Sequence, residues 1–221
     1  MRVYHYWRGA GCQRLRPAGY PDGQAPGPPE VNTVRRDFTS PAAPEEERSG
    51  DAGRQTGAEA GTGGILLVKV AFHPLDAVAN ERLKYAVIAA QEGQRWLFCR
   101  HRRRQTWEMP GGHREPGEDI RDAARRELWE ETGACEAELI PLCVYSVLGA
   151  DGPEQAEPNY GMLFLARVSR REALPPSEMA EVRALPAPDG ALPLPNTYPQ
   201  IQPLLWERAV RAARRLDEPE A

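Results

Sequence analysis

The sequence contains little cysteine and no spacing that would pair its cysteines. Among 221 residues there are only four, Cys12, Cys99, Cys135 and Cys143, and none form the C-x-x-C pattern of common metal or redox motifs. Residues 1–11 are polar and aromatic and lack the apolar core of a secretory signal. We therefore expect reduced, buried thiols in a cytoplasmic protein, which excludes a disulfide scaffold.

The chain also lacks an excess of one charge and a long apolar run. The formal net charge is −4, and arginine, which supplies nearly all of the 28 basic residues, is interspersed with acids. The overall charge therefore gives no reason to expect a nucleic-acid partner. No apolar run reaches the length of about 18 residues that a membrane span needs, so no membrane partner is expected.

Aliphatic residues are scarce in the first part of the chain. Residues 1–63 are rich in Gly, Pro, Arg, Ala and Glu, and segments such as Pro41–Glu47 cannot bury enough apolar surface to offset the entropy lost on ordering. We predict a disordered tail over residues 1–63. The composition changes at Gly64, and we predict one folded domain over residues 64–217.

The domain alternates between strand-like and helix-like segments. Strands are predicted at about 65–72, 83–90, 95–99, 139–148, 160–168 and 181–185. Helices are predicted at about 119–132 and 201–216, and the first has an apolar stripe formed by Ile120, Ala123, Ala124 and Leu128. Strands on both sides of one helix, followed by a terminal helix, indicate an α/β domain.

The C-terminal half of the first helix is the most informative segment. Glu127, Glu130 and Glu131 stand at i, i+3 and i+4, so they share one helix face, where like charges repel by roughly 0.2–0.5 kcal/mol per pair. Gly133 is placed to end the helix, so these acids lie near the end where its dipole favours cations. A divalent cation would remove both penalties, and clustered carboxylates suit Mg²⁺ or Mn²⁺ better than Zn²⁺.

The same segment resembles the signature of the Nudix hydrolase family, which includes MutT. The spacing is Gly-x5-Glu-x7-Arg-Glu-Leu-x-Glu-Glu-x-Gly followed by a small apolar residue, and every fixed position is filled. These positions are Gly112, Glu118, Arg126, Glu127, Leu128, Glu130, Glu131, Gly133 and Ala134. The resemblance implies the Nudix fold, in which a mixed β-sheet lies between helices in an α/β/α arrangement.

The resemblance also implies a metal site. In Nudix enzymes the glutamates of this helix and a glycine carbonyl bind Mg²⁺, and here these residues are Gly112, Glu127, Glu130 and Glu131, with Mn²⁺ as the alternative ion. The three glutamates are also the predicted catalytic groups, because phosphoanhydride hydrolysis relies on positioning and charge neutralisation. Arg126 is predicted to fix acid rotamers by pairing with Glu118 or Glu130.

The general base is left open, because family members use either a glutamate of the signature or a carboxylate from a later loop. The acids available in later loops are Glu154, Glu157, Glu178 and Glu181. Among them Glu178, which directly precedes the predicted late strand, is the candidate base. The alternative is that Glu178 is an ordinary solvated acid.

Basic and aromatic residues outside the signature are candidates for substrate binding. Arg100 and Arg102 are predicted to contact phosphates, because a guanidinium can bind phosphate through two hydrogen bonds; a solvated hairpin tip is the alternative. Trp107 is predicted either to stack on a base or to pack in the core. Tyr160 begins a strand and is predicted to reach a nucleobase.

The resemblance implies hydrolysis of a nucleoside diphosphate linked to a group X. The compact domain favours a MutT-type enzyme that converts a (d)NTP or 8-oxo-dGTP to the monophosphate and pyrophosphate. The alternatives are an ADP-ribose or nucleotide-sugar pyrophosphatase and a non-catalytic nucleotide-sensing module. The predicted partner is a small-molecule nucleotide, and a homodimer is compatible with this prediction.

Overall fold

The structure is a computed structural model that describes residues 16–17, 31–35, 67–149, 157–186, 192 and 194–218. The strands in these ranges are β1 (Arg16–Pro17), β2 (Val31–Arg35), β3 (Leu67–His73), β4 (Leu83–Glu92), β5 (Arg95–His101), β6 (Gly111–His113), β7 (Ala134–Leu148), β8 (Asn159–Arg171) and β9 (Met179–Pro186). The helices are α1 (Ile120–Thr132) and α2 (Gln202–Asp217), and a short 3₁₀ turn at Asn80–Arg82 precedes β4. Neither α1 nor α2 is long and apolar enough to cross a membrane.

The strands form one mixed sheet. Its main path follows the order β2-β3-β7-β8-β4-β5-β9, while β1 pairs with β7 and β6 pairs with β4. The pairs β4–β8 and β1–β7 are parallel and the remaining pairs are antiparallel. Apolar residues are buried on both faces of the sheet, one face covered by α1 and the other by α2. The predicted α/β/α arrangement is confirmed.

Each helix buries the face that its apolar pattern predicts. On α1 the four residues of the predicted stripe are all buried. On α2, Trp206 is buried against Trp96 and Phe98, with ring centroids 4.8 and 5.3 Å away. Burial of each large apolar side chain contributes about 1.5–3 kcal/mol to stability.

Three cysteines, Cys99, Cys135 and Cys143, are buried thiols as expected, and Cys12 lies outside the described residues.

Two segments of the predicted tail take part in the sheet. Residues 16–17 form β1 and residues 31–35 form β2. The sequence Val-Asn-Thr-Val-Arg of β2 contains three β-branched residues and pairs antiparallel with β3 from Val31↔Ala71 to Arg35↔Leu67. Backbone pairing with a neighbouring strand therefore defines this segment. The rest of residues 1–66 lies outside the described residues, and the domain boundary stays a prediction.

Local signals fix both ends of α1. The Asp119 side chain accepts a hydrogen bond from the backbone N–H of Arg121 at 2.8 Å, which caps the first turn. Gly133 adopts the left-handed conformation (φ 74°), and its N–H donates to the carbonyl of Trp129 at 2.8 Å. The predicted end of the helix is confirmed. Glu127, Glu130 and Glu131 consequently lie in its last two turns.

Candidate active site

Gly112 brings the backbone of β6 against the Glu127 carboxylate. The antiparallel pairing of β6 with β4 places Gly112 opposite Ala86, beside α1. A Cβ atom on Gly112 would overlap the carboxylate oxygens of Glu127. Glycine therefore lets the carboxylate lie against the strand, and a side chain at this position would require the Glu127 side chain to move.

Arg126 holds the acids of the signature together. Its Nε and Nη2 atoms donate to the two oxygens of Glu118 at 3.0 Å each. Its Nη1 atom lies 2.7 Å from Glu127 Oε1 and 3.3 Å from Glu130 Oε2. Both predicted pairings, with Glu118 and with Glu130, are present. The guanidinium is the cation around which three carboxylates assemble, and these contacts raise the pKa of Arg126.

The acids around Arg126 differ in how readily they ionise. Burial raises the pKa of Glu127 above its ordinary value although Arg126 opposes this, and the nearby Glu130 and Glu118 raise it further. Burial also acts on Glu118, but the hydrogen bonds from Arg126 and from the backbone of Glu115 outweigh it and lower the pKa of Glu118. Glu118 is thus the firmly ionised partner of Arg126, which supports a structural role for it.

Glu131 points the opposite way, into the protein. Its side chain accepts a hydrogen bond from the Gly111 N–H at 2.8 Å and lies 3.5 Å from the Cys99 sulfur. Only 5% of the residue is exposed. Burial, together with the smaller effect of the carboxylates of Glu127 and Glu108, raises the pKa of Glu131 to about 8 despite the Gly111 hydrogen bond. Glu131 therefore joins α1 to the glycine turn and carries a costly buried charge when ionised.

The buried Glu108 forms an ion pair with the exposed Arg104, and neither residue was a predicted site residue. The Arg104 Nη1 atom lies 3.2 and 3.0 Å from the two oxygens of Glu108. Burial raises the pKa of Glu108 although Arg104 lowers it. The sequence signal for this pair was Glu108 itself, an acid that follows an arginine by four positions. It stands between two large apolar residues, Trp107 and Met109. This pair lies beside Glu131, on the inner side of the carboxylates.

The arrangement fits a divalent cation only in part. Glu127 and Glu130 already converge on a single cationic nitrogen, and the Glu127 carboxylate lies against Gly112. Carboxylate and carbonyl oxygens are the donors that Mg²⁺ and Mn²⁺ prefer. Across the residues that the structure describes, no three His, Cys, Asp or Glu side chains are grouped as a complete metal site. Glu131 accounts for this, because it is turned towards Gly111.

The candidate bases lie in different surroundings. Glu178 lies just before β9, its side chain is 71% exposed, and one of its oxygens is 3.5 Å from Nε2 of His101. Glu181 is paired with Arg100 at 3.1 Å and Arg183 at 2.7 Å, which leaves it less available as a base. Glu157 is exposed, and Glu154 lies outside the described residues. Glu178 is thus more accessible to solvent than Glu181, the other candidate base near the start of β9.

The predicted phosphate-binding arginines are engaged in other contacts. Arg100 contacts Glu181 and lies over the Trp107 ring, with its guanidinium carbon 5.7 Å from the ring centroid. Arg102 lies in the turn after β5 and donates to the Met179 carbonyl at 3.4 Å. Trp107 is buried, and Arg183 also lies over its ring at 4.6 Å. For Trp107 the geometry favours core packing over base stacking.

Tyr160 lies apart from the glutamates, at the start of β8. The Arg82 guanidinium carbon is 4.9 Å from its ring centroid. A shallow cavity of about 290 Å³ is lined by Arg82, Lys84, Asn159 and Tyr160 together with Glu81, Glu157 and Pro158. Tyr160 faces this cavity, and its role as a substrate contact stays a prediction.

Comparisons with known proteins bear on this geometry. A model of the NUDIX domain family matches residues 81–205, a range that includes α1, β6 and the start of α2. A Bacillus subtilis pyrophosphohydrolase structure aligns over 66% of this chain and 92% of its own, with a TM-score of 0.54 and 22% identity. At that level of identity the likeness concerns the fold.

Curated relatives match shorter segments. An RNA pyrophosphohydrolase of Caulobacter vibrioides is 45% identical over 56 residues, which is 24% of this chain and 33% of the relative. A Bacillus subtilis protein named as a candidate 8-oxo-dGTP diphosphatase is 41% identical over 76 residues, 34% of this chain and 48% of its own. An RNA pyrophosphohydrolase of Bartonella henselae is 31% identical over 113 residues, 44% of this chain and 59% of its own. The chain thus spans less than two thirds of the length of each.

Proposed function

The chain belongs to the Nudix family, and on that premise we propose that it is a Mg²⁺-dependent hydrolase of nucleoside diphosphates linked to a further group. The observation that carries this proposal is the convergence of Glu127 and Glu130 on one nitrogen of Arg126, directly beside Gly112. A helix that buries and clusters acids in its last two turns loses stability by doing so. Such a loss is expected where the acids serve chemistry.

We assign the residues the following parts. Gly112, Glu127 and Glu130 would hold the metal, which would neutralise phosphate charge and activate water, and Glu131 would join them as a ligand by turning away from Gly111. Arg126 keeps the rotamers of Glu127 and Glu130 fixed through its hydrogen bonds. The exposed carboxylate of Glu178 accepts the proton of the attacking water. Arg100 and Arg102, on and just after β5, contact the phosphates of the substrate.

We favour a nucleoside triphosphate, either a (d)NTP or 8-oxo-dGTP, which is cleaved to the monophosphate and pyrophosphate. The relative named as a candidate 8-oxo-dGTP diphosphatase supports this substrate class, since its match extends over 76 residues. The described part of the chain consists of one sheet and two helices, without a second domain that would enclose a larger substrate.

A second substrate class has specific support. Two relatives are named RNA pyrophosphohydrolases, and the longer of those matches extends over 113 residues. A triphosphate at the 5′ end of an RNA presents the same anhydride bonds as a free nucleotide. The run Arg100-His101-Arg102-Arg103-Arg104 would then lie near further phosphates of the RNA.

The test is a substrate panel with Mg²⁺ that measures pyrophosphate and phosphate release separately. The panel contains dNTPs, 8-oxo-dGTP, a 5′-triphosphorylated RNA, ADP-ribose, nucleotide sugars and dinucleoside polyphosphates, and Glu130→Gln serves as the inactive control. Pyrophosphate release from free triphosphates supports the favoured class, and turnover of only the RNA supports the second. If no member of the panel is hydrolysed by the wild-type protein, the proposed enzyme activity is wrong.

A further inference from the structure

Tyr198 is an exposed aromatic side chain beside the candidate active site. It lies in the segment that leads into α2 and is 44% exposed, and only Leu216 is as exposed among large hydrophobic residues of the described ranges. Its hydroxyl is 3.4 Å from Nη1 of Arg104, the same atom that contacts Glu108. The exposed ring of Tyr198 is thus linked through Arg104 to the buried carboxylate of Glu108.

The segment that carries Tyr198 is held firmly in place. Its own N–H donates to Asn196 Oδ1 at 2.8 Å. The backbone of Trp107 accepts from Thr197 N at 2.9 Å and donates to Pro195 O at 2.8 Å. These bonds attach the segment to the residues immediately before the glycine turn. An aromatic ring on such a support loses little conformational freedom when a ligand binds it, which favours recognition.

The neighbouring wall of the site is also aromatic. Tyr85 on β4 and His113 on β6 lie in a tilted contact with ring centroids 4.4 Å apart, directly next to Gly112. Tyr145 packs over Gly161, where a Cβ atom would overlap its ring. A flat, apolar group with polar edges suits such surroundings.

Two other aromatic rings near the site are less suited to stacking. Trp107 is buried, and Arg183 lies 4.6 Å from its ring centroid. The Tyr160 ring has Arg82 over it at 4.9 Å. The Arg104 guanidinium carbon is 5.7 Å from the centroid of Tyr198 while its Nη1 contacts the hydroxyl, so it lies towards the hydroxyl end of the ring. This position leaves ring surface available for a ligand.

We propose that Tyr198 is the platform on which the nucleobase of the substrate stacks, with Arg104 fixing the orientation of the ring. The proposal rests on the function proposed above and names the part of the substrate that this residue recognises. Stacking on an aromatic ring tolerates any base, so Tyr198 contributes affinity for nucleotides in general. It acts equally on a free nucleotide and on the first base of an RNA.

The test compares Tyr198→Ala with Tyr198→Phe, which keeps the ring, and with Leu216→Ala, which removes another exposed apolar side chain. We expect Tyr198→Ala to raise KM for a nucleoside triphosphate roughly 5- to 100-fold, with kcat nearly unchanged. Leu216→Ala should stay close to wild type, whereas Tyr198→Phe, which keeps the ring but loses the hydroxyl contact with Arg104, should have a KM between those of wild type and Tyr198→Ala. The inhibition constant of inorganic tripolyphosphate, which has no base, should be the same in all four proteins.

The possible results separate this proposal from the proposed function. An unchanged KM in Tyr198→Ala, with the wild type active, would overturn the stacking role and leave the hydrolase intact. An equal loss of affinity for tripolyphosphate would also overturn it, because the defect would not concern the base. If the wild type hydrolyses no nucleotide, calorimetric binding of GTP decides: weaker binding to Tyr198→Ala supports the platform, and equal binding contradicts it.

Discussion

The two helices of this protein lie on opposite faces of one sheet and carry side chains of opposite charge in their last turns. The last turn of α2 contains Arg214 and Arg215, whose charges suit the negative end of a helix dipole. The last turn of α1 contains no basic residue and instead carries Glu130 and Glu131. Both helices bury an apolar face of similar kind, so the contrast concerns charge rather than packing.

The contrast extends to the polar group that each helix buries. On α2 a buried polar group is the amide of Gln202, whose oxygen accepts from the Met109 N–H at 2.9 Å and from Asn196 at 2.7 Å. On α1 it is the carboxylate of Glu131, whose burial opposes ionisation. A neutral amide stabilises a helix junction without the desolvation of a charge. The carboxylate on α1 therefore suggests a requirement other than stability.

The largest expected effect comes from removing an acid of α1. We expect Glu127→Gln or Glu130→Gln to lower kcat by at least about 100-fold, because each substitution removes a carboxylate from the proposed metal site. The matched change on α2 is Glu207→Gln, which removes an exposed acid paired with Arg211 at 2.7 Å. Steady-state kinetics should show wild-type kcat for Glu207→Gln. Near-wild-type kcat in Glu130→Gln would contradict the assignment of the acids.

The sequence predicted the elements of this fold well where a local pattern exists. The start and end of α1 follow from Asp119 and Gly133, and its buried face follows from the spacing of apolar residues. The boundaries of β7 were less accurate, since it begins at Ala134 rather than near Leu139. The short strand β2 was missed, because it depends on pairing with β3 rather than on a core of its own.

The site was predicted less completely than the fold. Helical spacing places three glutamates on one face, but it does not reveal that Glu131 turns towards Gly111 while Glu127 and Glu130 turn towards Arg126. These directions depend on partners from β6 and its flanking turn. The contact between Arg104 and Tyr198 joins residues 94 positions apart. No local pattern encodes such a contact, so it became visible only in the structure.

The second expected effect is stabilisation by metal. Mg²⁺ at about 100 times its dissociation constant should raise the free energy of unfolding by about 2.7 kcal/mol and Tm by roughly 5–10 °C. The physical reason is relief of repulsion among the α1 acids. Differential scanning calorimetry of the metal-free protein with and without Mg²⁺ measures this shift. Glu207→Gln should keep it, whereas the double variant Glu127→Gln/Glu130→Gln should lose it. Equal Tm with and without millimolar Mg²⁺ would exclude the site.

The third expected effect concerns the pH dependence of stability in the metal-free protein. The pKa of Glu131 is raised to about 8 in the folded state, whereas the unfolded chain ionises at an ordinary carboxyl pKa near 4.5. Between these values the unfolded chain releases the proton and the folded protein retains it. Raising the pH from 5 to 8 therefore favours unfolding, by at most about 1.4 kcal/mol per pH unit from this residue.

The variant Glu131→Gln gives α1 the kind of buried amide that α2 already has in Gln202, and its oxygen can still accept from the Gly111 N–H. We expect its Tm in EDTA to fall less between pH 5 and pH 8 than that of the wild type. Glu108 and Glu127, whose pKa values are also raised, are present in both proteins, so the difference between the two slopes isolates Glu131. If Tm changes equally with pH in both proteins, the pKa of Glu131 in the folded state is that of an ordinary carboxyl group. The contrast between the helices would then depend only on the other acids of α1.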